Sequence, residues 1–255
     1  MGRRRRRRWP WVVAAGLLVC GALAWWFPAR WVWPWIQAQY PAVHARTVAG
    51  SIWNGHLDGL VVNGQRLGRL DWSLSRRSVF GQPHARLHLA GDEVMANGHI
   101  ARADGGAIVL DNWRFQVPLA RLKVLWPTAM TLGGRLQGRV RRLRLSDGWP
   151  TVLEADVAWH DATATTRDGR AVALGGFRSH WTAPGGSVVQ ADLDDSGDGP
   201  VALDGRFVVT SLGWRLDARA RARHPEPGLD ALLRQLGERD GDGAVRLRRR
   251  GGLAR

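Results

Sequence analysis

The sequence predicts a mainly β protein. One N-terminal transmembrane helix leads into an antiparallel-sheet domain, built as a sandwich or as a curled open sheet, with one short C-terminal helix. Three observations carry that prediction. Residues 9–29 hold no charged side chain and follow six consecutive arginines. Beyond them, apolar residues recur two apart in run after run, separated by Gly, Asn, Asp and Pro. A single four-leucine set near the C-terminus is spaced as a helix instead.

The N-terminal element comes first. A stretch of about 20 uncharged, mostly apolar residues is long enough to cross the ~30 Å hydrocarbon core as a helix. Arg3, Arg4, Arg5, Arg6, Arg7 and Arg8 stand before it and Arg30 alone stands after it. Arginines beside a span resist translocation, so the arginine block stays cytoplasmic and the rest of the chain lies outside. Pro10 suits a first helical turn, and Pro28 marks the end. Trp9 and Trp11 fall at one membrane interface, and Trp25 and Trp26 at the other, as an aromatic belt requires. A cleaved signal peptide would use Ala22-Leu23-Ala24, leaving Trp25, Trp26 and Phe27 directly behind the cut. The run also exceeds the usual apolar length of such peptides, so an uncleaved anchor is expected. Trp31, Trp33 and Trp35 then mark a Trp-rich interfacial linker over 30–44.

The β elements follow. Leu70, Trp72 and Leu74 alternate with polar residues, as do Ala85, Leu87 and Leu89. Trp113, Phe115, Val117 and Leu119 do the same, then Leu153, Ala155, Val157 and Trp159, and finally Trp214, Leu216, Ala218, Ala220 and Ala222. A period of two puts apolar side chains on one face and Arg, Asp, His or Gln on the other. Asn63-Gly64, Asp104-Gly105-Gly106, Asp168-Gly169, Pro184-Gly185-Gly186 and Gly197-Asp198-Gly199-Pro200 are the turns between them. The offsets Gly55, Leu57, Leu60, Val62 recur as Gly138, Val140, Leu143, Leu145. Two related β modules, 45–125 and 130–222, would account for that echo.

Residues 223–255 form the last part. Leu229, Leu232, Leu233 and Leu236 fit i, i+3, i+4, i+7. Pro225 and Pro227 precede this helix and Gly237 closes it. Ala244, Val245 and Leu247 lead into Arg248-Arg249-Arg250, read as an exposed basic tail.

Composition narrows the function. Six of the formal +15 charges belong to the arginine block, and the remaining excess is spread along the chain rather than clustered. That is no nucleic-acid footprint. The single cysteine, Cys20, lies in the apolar run, so the outer domain has no disulfide. No catalytic set assembles, and no cofactor or metal is expected. His84 and His88 share the solvent face of a strand pattern and lack the Glu of a zinc-binding helix. Asp194, Ser196, Asp198 and Gly199 open like a calcium loop, but the twelfth position is Gly205, which has no carboxylate to give. Trp53, Trp72, Trp113, Trp159, Trp181 and Trp214 lie on strand patterns, where large rings fill a core.

Two stretches together carry a family resemblance. Val48-Ala-Gly50-Ser-Ile52-Trp53-Asn-Gly55 and then Leu67-Gly68-Arg-Leu70-Asp-Trp72-Ser-Leu74 resemble the protein N family of the bacterial type II secretion system. Leu174-Gly175-Gly176-Phe177, Gly199-Pro200, Leu203-Asp-Gly205-Arg and Leu232-Leu233-x-x-Leu236-Gly237 continue the likeness. The resemblance implies a single-pass protein of the cell inner membrane whose periplasmic domain organises export rather than catalysing a reaction. It implies other secretion components as partners: the inner-membrane platform, protein C and the outer-membrane secretin. Membrane lipid is a further expected contact; nucleic acid is not. Gly50, Trp53, Gly55, Leu67, Gly68, Trp72, Gly199, Pro200, Leu236 and Gly237 are motif positions expected to serve the fold. The alternating apolar faces also permit another function, a periplasmic lipid- or glycolipid-binding protein with an apolar β groove.

Overall fold

The computed structural model describes residues 27–75, 83–125, 131–165, 169–185, 187–197 and 199–252. The arginine block and most of the predicted span, with Trp9, Trp11, Trp25 and Trp26, lie outside them. No helix among the described residues is long and apolar enough to cross a membrane.

The chain enters as helix α1 (Ala29–Gln39) and becomes a single antiparallel sheet. Its strands are β1 (Val43–His44), β2 (Thr47–Gly50), β3 (Asn54–Val62), β4 (Gln65–Leu74), β5 (His84–Ala90), β6 (Met95–Arg102) and β7 (Ile108–Pro118). They continue as β8 (Thr131–Ser146), β9 (Trp149–Thr165), β10 (Ala171–Gly185), β11 (Val188–Asp195), β12 (Val201–Thr210) and β13 (Gly213–Ala222). Helix α2 (Pro227–Leu236) then precedes β14 (Glu238–Arg239) and β15 (Val245–Gly252). From β3 to β13 each strand pairs with the next in sequence, with β1 and β2 both on β3, and β15 between β13 and β14 at the far edge. Of the two expected architectures, the open sheet is the one formed. It runs without a break past residue 125, since β7 and β8 pair from Ile108–Leu145 to Pro118–Arg135.

Two of the turns show why the strands reverse where they do. Asn63 and Gly64 both have positive φ, 49° and 77°, and so do Asp147 and Gly148, at 51° and 77°. This is the two-residue hairpin turn whose twist suits the flanking strands. Arg248-Arg249-Arg250, expected as an exposed tail, instead lie in β15, which pairs with β13 from Val245–Ala220 to Gly252–Gly213. The run of arginines hid a period of two in which Val245 and Leu247 face inward.

The register makes each face continuous. Leu57, Leu70, Leu89, Ala96, Phe115, Gly138, Val157, Ser179, Leu193, Gly205, Ala218 and Leu247 stand directly opposite one another across the sheet. The next row, on the other face, runs His56, Asp71, His88, Asn97, Arg114, Arg139, Asp156, His180, Asp192, Arg206, Asp217 and Arg248. Aromatic rings cover glycines in the apolar rows. A Cβ on Gly55 would lie 2.3 Å from the Trp72 ring, and one on Gly138 2.3 Å from Phe115. The ring supplies the packing surface that the glycine lacks.

The densest burial lies under α2. Leu229, Leu232 and Leu233 are buried against Ala164, Val172, Val201, Ala220 and Val245. Each of these leucines stabilises the fold by about 2 kcal/mol. The apolar side chains of β4 and β5, such as Leu70, Leu87 and Leu89, are only half-buried.

Candidate functional site

The motif turn between β2 and β3 closes on the entry of the chain. Gly50 has φ +93°, and a Cβ there would meet the Asn54 carbonyl oxygen at 2.5 Å, so only glycine fits. Ser51 Oγ accepts from the backbone N–H groups of Trp53 and Asn54, both at 3.2 Å. Trp53 is buried. The Trp72 indole donates to the Ile52 carbonyl at 3.2 Å, and the Leu74 N–H donates to the Trp53 carbonyl at 2.6 Å. The same turn reaches outward. The Ile52 N–H donates to the Phe27 carbonyl at 3.1 Å, and Ser51 forms a β-bridge with Pro28. The turn therefore holds residues 27 and 28, near the end of the uncharged run, against the first edge of the sheet.

Helix α1 starts at this clamp and packs beside β2. It leaves Trp31 67 %, Trp35 65 % and the following Tyr40 64 % exposed. The segment expected as a Trp-rich interfacial linker thus contains a helix, with Pro34 inside it. Helical geometry places Trp31 and Trp35 on one side and separates Trp33 from them.

A second group of motif residues meets at the other end of the chain. Gly175, at φ +101°, approaches Gly199: a Cβ on Gly175 would lie 2.6 Å from the Gly199 Cα and 3.1 Å from Pro200 Cδ. Beside them, Asp195 is largely buried and pairs with Arg223. Its carboxylate also accepts from the backbone N–H groups of Gly197 at 2.7 Å and Leu203 at 3.0 Å. Burial alone would push the carboxyl up, but the two N–H donors and the Arg223 guanidinium outweigh it and hold Asp195 below the usual range. Asp195 lies between Asp194 and Ser196 of the calcium-like stretch, at the end of β11. Its inward parity with Phe177 and Trp159, readable only once strands are paired, sets it apart.

The remaining motif residues are structural in position. Leu67 and Gly68 lie in the first half of β4, where a Cβ on Gly91 would meet the Leu67 carbonyl at 2.3 Å. Leu236 ends α2 and accepts a hydrogen bond from Arg249 at 3.2 Å, while Gly237 lies against the Arg246 carbonyl. His84 and His88 are exposed on the polar face.

The polar face carries the ion pairs. Arg69 binds Asp71 and Asp58, Arg141 binds Glu154 and Asp156, and Arg206 binds Asp192. Arg219 binds Asp240 and Asp242, and Asp217 takes Arg246 and Arg248. On this face a saddle of about 600 Å³ crosses β5 to β11. Charged, amide and imidazole side chains share its lining with Met95, Phe115, Val157 and Ala158.

These features define a class: an extended, open antiparallel sheet whose first edge is clamped to the end of an uncharged N-terminal segment. Within it, the chain belongs to the type II secretion system protein N family, whose model matches residues 41–248. The match takes in the junction turn and the sheet as far as β15, and begins just beyond α1. Compared with curated proteins and with solved structures, the chain matches none.

Proposed function

We propose that this chain is a non-enzymatic accessory component of type II secretion, anchored in the inner membrane and supporting export of folded proteins across the outer membrane. The observation that carries the reading is the family match over 41–248. Residues 9–29 are the anchor, Arg3 to Arg8 hold the N-terminus in the cytoplasm, and the sheet stands in the periplasm. The clamp at Phe27 and Pro28 supports this arrangement, because it ties the sheet to the point where the span would end. The exposed Trp31, Trp35 and Tyr40 suit the lipid headgroup layer, where amphipathic rings are favoured. The sheet links the inner-membrane platform to protein C and the outer-membrane secretin.

Deletion of the gene tests the role. Secreted enzymes should accumulate in the periplasm, and normal export would overturn the reading. Affinity capture of the full chain from native membrane should recover platform or secretin components. Topology has its own test: an enzyme active only in the periplasm, fused after Arg255, should be active.

A further inference from the structure

We propose that the saddle on the polar face, centred on Arg114 and Arg139, binds a phosphate-type oxyanion. Along the polar row that crosses the sheet, neighbours are of opposite charge or include a neutral residue, with one exception. Arg114 on β7 stands directly opposite Arg139 on β8. Side chains so placed start about 5 Å apart, and like charges there are destabilising. Neither guanidinium has an ion-pair or hydrogen-bond partner among the described residues, although Arg135, Arg141 and Arg142 on β8 do. Asp156 stands opposite Arg139 but gives one carboxylate oxygen to Arg141 at 2.7 Å and the other to His180 at 2.7 Å. Asp194, at the far rim opposite Arg178, is the one saddle carboxylate without such a partner among the described residues.

The polar side chains around the pair are uncommitted as well. His88, Asn97, Gln116 and Gln137 line the same saddle and make no side-chain hydrogen bond among the described residues. The site thus gathers two unpaired guanidiniums, three amides and an imidazole around a concavity of about 600 Å³. Two guanidinium forks on neighbouring strands, with amide donors beside them, suit a tetrahedral oxyanion, which offers several acceptor oxygens at once. Binding it would relieve the repulsion between the arginines. The phosphate could be free or carried on a lipid headgroup. This proposal is independent of the secretion reading.

The test titrates the full chain, purified in a neutral detergent, with inorganic phosphate and with a short-chain phosphatidylglycerol, following heat by calorimetry. Saturable binding of at least one is expected, and R114Q/R139Q should weaken it at least ten-fold. R206Q/R248Q, which removes the same charge from paired positions, should leave it unchanged. Tighter binding of the lipid would identify a headgroup as the source, and equal or tighter binding of phosphate the free ion. No binding of either probe, or equal loss in both double variants, would overturn the proposal. If R114Q/R139Q does not fold, the single variants carry the test, each expected to weaken binding several-fold.

Discussion

At the residue scale, two kinds of position are sensitive for different reasons. Asp195 is stabilised as an anion by Arg223 and two backbone N–H groups. Its carboxyl ionises more readily in the folded chain than in the unfolded one, so its ionisation favours folding. That contribution is complete above about pH 4, the unfolded value, and is lost as pH falls from there towards the lowered folded value. Asp195→Asn should cost about 2 kcal/mol at neutral pH and flatten this acid dependence, as read from urea midpoints at several pH values. Gly175 is constrained by space and by backbone conformation together. A Cβ there meets the Gly199 backbone, which cannot yield as a flexible side chain would. Gly175→Ala should destabilise by about 2–3 kcal/mol, whereas Gly148→Ala, with open space around it, should cost about 1 kcal/mol.

At the scale of elements, α2 is the helix that, among the described residues, completes a core. Leu232 is 1 % exposed, in the cluster through which α2 packs on β10, β13 and β15. Leu232→Ala should cost about 3 kcal/mol, measured by urea unfolding, while Arg234→Ala on the exposed side should change little. The spacing of the four leucines made this helix legible, because a 3.6-residue period needs no partner to be read. Helix α1 was not legible. Its tryptophans alternate in sequence, and the contacts with β2 that hold it are made by the tertiary fold. β15 was missed for a related reason: its outward arginines dominate the composition, and its strand character comes from pairing with β13.

For the whole molecule, the continuous ladder from β3 to β15 predicts that it unfolds as one unit. A single urea transition, coincident by tryptophan fluorescence and circular dichroism, is the expected outcome. Two separated transitions would show instead that 45–125 and 130–222 act as modules. The sequence by itself determined the β class, the two-faced character of the strands whose alternation it shows, several hairpin turns, the leucine helix and the family. All of these are local periodicities or ordered motifs, written along a few residues at a time. The tertiary structure alone decided that the strands form one open sheet, and that the motif turn clamps Phe27 and Pro28. It also set Arg114 against Arg139 and turned Asp195 inward. Those outcomes depend on register: which residue of one strand stands opposite which residue of the next. Register is fixed by bulges, turns and cross-strand packing acting together, and no single strand carries that information.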